Sequence, residues 1–148
     1  MTFERIMLVI VSTLLLSFVT LTYVGVTANV TDSEPIGLYA KAGGLPYRGC
    51  MVQLRPLIKH LAGVPGDIIQ TTAAGSYIND RLWPSSAIPK DTHGYRPYPF
   101  GTYILGPHQY WILGDGPDSL DSRYLGMVSA DVIATTIKPL WTIAPDHK

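Results

Sequence analysis

Apolar positions run almost unbroken from Ile6 to Val26, IMLVIVSTLLLSFVTLTYVGV, and then give way to short alternating pieces. The run holds no charge over about 21 positions, enough at ~1.5 Å per helical residue to cross the ~30 Å hydrocarbon core of a bilayer. It has no polar stripe, which sets it apart from a buried core helix. A cleaved secretory signal is the other competitor. Its apolar region is usually about 7–15 residues, shorter than this one, although Val26-Thr27-Ala28 offers a small-residue cleavage site. The pattern predicts a membrane anchor over residues 1–28 and a folded part over 29–148.

Beyond the anchor the pieces are rich in Val, Ile, Thr, Tyr and Trp: GLYAK, CMVQL, DIIQTT, SYIND, GTYIL, QYWIL, VIATTIK and PLWTI. Period-two stretches separated by turn residues read as short strands. With 14 glycines and 12 prolines in the chain, helices of ordinary length hardly fit between them. DIIQTT-AAG-SYIND predicts a hairpin with Gly75, at positive φ, in a three-residue connection. The expected fold class is all-β, a small barrel or two packed sheets. Residues 81–101, RLWPSSAIPKDTHGYRPYPFG, carry four prolines and little alternation, and predict an extended surface excursion.

Subtracting the anchor from 148 residues leaves enough chain for one modest core. Lys plus Arg equal Asp plus Glu at 11 each, so no basic field points to nucleic acid and no acidic tail is present. Cys50 is the sole cysteine, which rules out an intrachain disulfide; it is expected as a small buried apolar residue. Arg5 precedes the apolar run, and no Lys or Arg follows it until Lys41. That asymmetry places the N-terminus in the cytoplasm and everything from about Ala28 on the far side.

Three segments carry candidate chemistry. In LRPLIKHLAGVPGDII, residues 54–69, the stretch between Pro56 and Gly63 is read as a strand with Leu57, Lys59 and Leu61 on one face. An ammonium held on such a face has its pKa lowered and becomes a neutral amine, a general base. The alternative is a lysine that lays its stem on apolar surface and keeps its charge in water. His60 falls on the opposite face; it, His93 in the proline-rich stretch and His108 beside a turn are read as solvent-facing or capping. In LGDGPDSLDSRYLGMV, residues 113–128, Asp and Ser side chains suit a loop that caps its own backbone. Asp115, Asp118 and Asp121 are spaced by three, unlike an EF-hand loop, and no Glu stands at its closing position, so no metal is expected. TDSEPIGLYAK, residues 31–41, sets Thr31, Ser33 and Pro35 on alternate positions directly after the anchor. Turn chemistry explains that placement, and so does a nucleophile at the mouth of the bilayer.

Taken together, TDSEPIGLY (family pattern S-x-P-x-G-x-Y), LIKHLAGVPGD and GDGPDSLDSRYLGMV resemble the type I signal peptidase family of membrane-anchored serine proteases. The likeness is strongest to its branch of conjugal transfer peptidases of the TraF type. The resemblance implies a small antiparallel signal-peptidase-like β domain after one transmembrane helix. It implies Ser33 as nucleophile and Lys59 as general base, a dyad that needs no histidine. It further implies Asp121 as a required acidic residue with Arg123 as its ion-pair partner, and Ser119 as the hydroxyl that orients the lysine. Thr31 would join the Ser33 backbone N–H in an oxyanion hole. The implied partners are inner-membrane lipid and a peptide segment bound as an added strand, in conjugal relatives a pilin precursor whose new ends some members join into a ring. No cofactor, metal or nucleic acid is implied, and the catalytic domain would lie on the periplasmic side. The chain departs from the family in having His60 where Arg usually follows the lysine. No G-x-S-x-G elbow surrounds Ser33, which speaks against a Ser-His-Asp triad. The excursion at 81–101 is short beside the inserted domain of large bacterial signal peptidases. Two other readings compete: a catalytically silent β-domain component of an envelope secretion or conjugation apparatus, and a binding module with a calcium loop at 115–121.

Overall fold

The computed structural model describes residues 2–54, 57–92 and 94–143. Helix α1 spans Phe3–Tyr23, and none of its Phe3–Thr20 stretch is buried against the rest of the chain. By length and composition this helix is able to cross a membrane. It stops short of the end of the apolar run. Gly25 takes φ +81, a left-handed conformation that no helix continues through, and Val26 already pairs with Ala40. Apolar character alone does not reveal that switch, because a buried strand and a membrane helix use the same residues.

Eleven strands follow: β1 Val26–Asn29, β2 Ile36–Lys41, β3 Met51–Leu54, β4 Leu57–Gly63, β5 Ile68–Thr72, β6 Gly75–Ile78, β7 Arg81–Leu82, β8 Gly101–Ile104, β9 Gln109–Leu113, β10 Val128–Ser129 and β11 Thr135–Ile143. They form a seven-stranded sheet in the order β1-β2-β11-β3-β4-β9-β10 and a four-stranded sheet in the order β7-β6-β5-β8, with antiparallel neighbours throughout. The fold is therefore mostly antiparallel β with one N-terminal apolar helix. The other α-helix among the described residues is a single turn, α2 Ser122–Leu125.

The core is split by the sheets. Ala62, Ile69, Ile78, Leu105, Trp111 and Leu113 form one cluster, drawn from strands of both sheets. Cys50, Val52, Leu54, Leu61 and Ile112 form a second, and Cys50 is the small buried apolar residue expected of it. β4 feeds both clusters because it lies inside the larger sheet between β3 and β9, so each of its faces is covered.

Local details differ from the sequence pattern in four places. Thr72 pairs directly with Gly75, so the hairpin connection is the two residues Ala73 and Ala74, and Gly75, at φ +137, opens β6. VIATTIK and PLWTI merge into the single strand β11, whose register shifts between Pro139 and Trp141, where proline has no N–H for the ladder. Val132, expected in that strand, belongs instead to a 3₁₀ turn at Ala130–Val132. The stretch at 81–101 is more than a surface excursion: Ser86 is buried, accepts from the Ser76 N–H at 2.9 Å and donates to the Trp83 carbonyl at 2.7 Å. Its anchoring is polar and local, which hydrophobic alternation does not register. His93 lies outside the described residues, as do positions 55 and 56 at the start of the lysine segment.

Candidate active site

The turn between β1 and β2 is built on Asn29. This buried side chain donates from Nδ2 to the carbonyls of Glu34 at 2.8 Å and Thr31 at 3.0 Å, and its Oδ1 accepts from Thr31 Oγ1 at 2.7 Å. So held, Thr31 Oγ1 stands 3.0 Å from Ser33 Oγ. The two hydroxyls meet because residues 31–34 turn, not because they lie along an extended segment.

Lys59 is fully buried in β4, with Leu57 beside it on the same face as the period of two requires. Its Nζ donates to Ser119 Oγ at 2.6 Å. The side chain does not reach out to water. Desolvation lowers its pKa, although the carboxylates of Asp121 and Glu34 pull the other way.

Thr31, Ser33, Leu57, Lys59, Gly116 and Ser119 all line one pocket of about 280 Å³. Two glycines let the 113–121 loop close against the Ser33 turn. A Cβ on Gly114 would lie 2.2 Å from Ser119 Oγ and 2.8 Å from the Ser33 carbonyl, and one on Gly116 would lie 2.4 Å from the Asp32 carbonyl. The Ser33 carbonyl itself accepts the Asp115 N–H at 2.8 Å. The loop thus fastens to the turn through its backbone.

Asp121 and Arg123 stand behind this pocket, both with fully buried side chains. Asp121 caps α2 by accepting the Arg123 N–H at 3.0 Å, takes the Gly114 N–H at 2.9 Å, and pairs with Arg123 Nε and Nη2 at 2.9 Å each. Arg123 also donates to the carbonyls of Gly116 at 2.8 Å and of Ser85 and Ala87 at 3.3 Å. One guanidinium therefore joins the loop, the cap and the 81–101 stretch. Every acceptor it meets makes its burial tolerable.

His60 corrects the expectation of a solvent-facing or capping side chain. Its Nε2 lies 3.2 Å from Glu34 Oε2 and 3.6 Å from Asp115 Oδ1. Burial acts to lower its pKa, but the carboxylates of Asp115 and Glu34 outweigh burial and lift it to about 10. Desolvation raises Glu34 above the usual carboxylate range, against the pull of His60. His60 is drawn inward because β4 is an interior strand and the residue facing it from the turn is an acid. His108 fits its expectation better: it is exposed in the turn before β9, at φ +64, and its carbonyl accepts the Ala130 N–H.

The fold thus brings Thr31, Ser33, Lys59 and Ser119 to a single pocket and sets Asp121 and Arg123 against its rear wall. Asn29 and Glu34 escaped the sequence reading. Asn29 is preceded by an apolar run and followed by Val30, so only its spacing of two from Thr31, an Asx-turn signal, hinted at its part. Glu34 next to Ser33 looked like one more loop charge.

The description "Signal peptidase, peptidase S26" matches residues 2–141, nearly all of the chain. The protein belongs to this peptidase family. Among individual relatives it is 29% identical over 148 residues to the "Plasmid transfer protein TraF" of Escherichia coli, covering 80% of this chain and 84% of the relative. It is 27% identical over 150 residues to the "Conjugal transfer protein TraF" of Agrobacterium tumefaciens (strain 15955), covering 82% and 85%. A crystal structure of a signal peptidase I from Enterococcus faecalis V583 superposes with a TM-score of 0.42 at 21% identity, over 64% of this chain and 98% of the other.

Proposed function

We propose that this protein is a membrane-anchored serine endopeptidase of the signal peptidase type, with Ser33 as nucleophile and Lys59 as general base. The observation that carries the reading is the shared pocket, lined by both the half-buried Ser33 and the fully buried Lys59. Nothing in the packing of a β domain calls for an ammonium there, where desolvation penalises the charge.

In this mechanism neutral Lys59 donates one N–H to Ser119 and keeps its lone pair for the Ser33 hydroxyl proton. Ser33 Oγ attacks the scissile carbonyl, the C–O bond forms, and the proton passes to Nζ. The Ser33 N–H stabilises the oxyanion, joined by the Thr31 hydroxyl once its proton turns from Asn29 Oδ1 to the developing charge. Collapse of the tetrahedral intermediate breaks the C–N bond, and the lysine proton leaves with the new amine. Water, activated by the same lysine, then releases the acyl group and regenerates Ser33. Asp121 holds Arg123, and Arg123 holds the loop that carries Ser119.

The helix α1 serves as a single-pass anchor in the inner membrane, with the β domain on the periplasmic side. The TraF names of its relatives point to conjugative transfer, and a pilin precursor is the proposed substrate. Ser33→Ala and Lys59→Ala should each abolish precursor processing while circular dichroism and membrane insertion stay unchanged. Undiminished processing by either variant removes the dyad and leaves a silent structural component as the better account. Product masses report the outcome of the second step, since a cyclised product is lighter than a cut one by a water.

A further inference from the structure

Glu34 directly follows Ser33, and His60 directly follows Lys59. With Ser33 and Lys59 at the pocket, Glu34, His60 and Asp115 gather as a second group whose ligand atoms all lie within 4.8 Å of one another. Glu34 is completely buried; its Oε2 faces His60 Nε2 at 3.2 Å, and its Oε1 accepts no hydrogen bond. The His60 contacts, at 3.2 and 3.6 Å, are longer than the ~2.7–2.9 Å of charge-assisted hydrogen bonds. A buried acceptor left in this state is costly, so the geometry calls for a further partner.

We infer that Glu34, His60 and Asp115 form a binding site for a divalent transition-metal ion of the zinc class. Zinc bonds to imidazole nitrogen and carboxylate oxygen at about 2.0–2.2 Å, which for tetrahedral ligation sets neighbouring ligand atoms roughly 3.3–3.5 Å apart. The two separations from His60, 3.2 and 3.6 Å, bracket that spacing, and the third, between Glu34 and Asp115, lies within 4.8 Å. One imidazole among hard oxygen donors suits zinc, cobalt or manganese better than calcium. The Asp115 side chain is 42% exposed, so an ion has an entry path and room for water in the remaining position. A bound ion would tie together the turn that carries Ser33, the strand that carries Lys59 and the 113–121 loop. The site does not depend on the proposed dyad, and it exists only because His60 stands where a guanidinium would leave no ligand.

The full chain, purified in detergent and stripped with chelator, is titrated with ZnCl₂ by calorimetry and with CoCl₂ by visible absorption. Saturation at one equivalent, with a cobalt d–d band and a Tm that rises with zinc, is the expected result. His60→Arg retains a cation between the two carboxylates but removes the ligand, and should lose all three signals; Glu34→Gln should weaken them at least tenfold. Should His60→Arg not fold, Asp115→Asn on the open side takes its place in the comparison. Failure of the wild type to saturate at micromolar protein, or equal zinc binding by the ligand variants, overturns the site. Neither result touches the processing activity of Ser33 and Lys59, which is measured separately.

Discussion

Breaking the Asp121–Arg123 pair tests whether the rear wall of the pocket is held by a buried guanidinium and its fully buried ion-pair partner. Asp121→Asn preserves shape and leaves an oxygen for one of the two backbone N–H groups, but it strips the negative charge from beside a fully buried guanidinium. Removing one partner of such a pair costs about 3–5 kcal/mol, far more than an exposed ion pair is worth. Taking ~2.1 cal/mol/K per residue for the unfolding entropy of roughly 120 β-domain residues gives ~0.25 kcal/mol/K, hence a Tm lower by about 12–20 °C. Arg123→Met should cost a comparable amount, since it orphans Asp121 and frees the carbonyls of Ser85, Ala87 and Gly116. The double variant removes both charges together, and its destabilisation should fall short of the sum of the single ones by about 2–3 kcal/mol. Thermal unfolding of the full chain in detergent, followed through the buried Trp111, supplies all four values. A Tm loss under about 4 °C for Asp121→Asn, or additivity within ~0.5 kcal/mol, would refute the uncompensated-charge reasoning.

Four further outcomes follow from the pocket. Burial holds the Lys59 pKa below its usual 10.5, so the folded state binds that proton less readily than the unfolded chain. Between the lowered value and 10.5 wild-type stability therefore rises with pH, and below that window the full cost is present; Lys59→Met should flatten the rise while abolishing processing. In the same way, processing by the wild type should climb with pH on a limb set by Lys59, below the range of an ordinary lysine, as a pH–rate profile would record. Gly114→Ala places a methyl against Ser119 Oγ and the Ser33 carbonyl, so it should lower kcat at least tenfold with the secondary structure by circular dichroism intact. Asn29→Ala unties Thr31 and the Glu34 carbonyl, costing about 1–3 kcal/mol of stability, and should lower kcat more than it changes KM; an unaltered kcat would mean that the turn holds its shape without the Asn29 side chain.

Much of the architecture was legible because period and composition are local. A long chargeless run points to a span, a signal or a core helix, and short pieces rich in β-branched and aromatic residues between glycines and prolines point to strands, with exceptions at their ends such as Val26 and Val132. Lys59 on a leucine face was visible for the same reason: alternation is a property of one strand. The motifs also put Ser33, Lys59 and the 113–128 loop on the page before any pairing was known. What the residues by themselves left hidden were features set by neighbours distant in sequence; the Lys59–Ser119 contact was expected only through the family resemblance.

On its own, then, the sequence determined an anchor-like helix, an all-β domain and the residue types for a serine–lysine chemistry. Only the tertiary structure decided where the helix gives way to β1 and that His60 turns toward Glu34 and Asp115 instead of water. The physical reason is that side-chain periodicity says which face a residue occupies and nothing about what the sheet order brings opposite that face. In β4 both faces are covered, so the histidine read as a surface residue acquires a buried acidic partner just as the lysine on the leucine face acquires a buried hydroxyl.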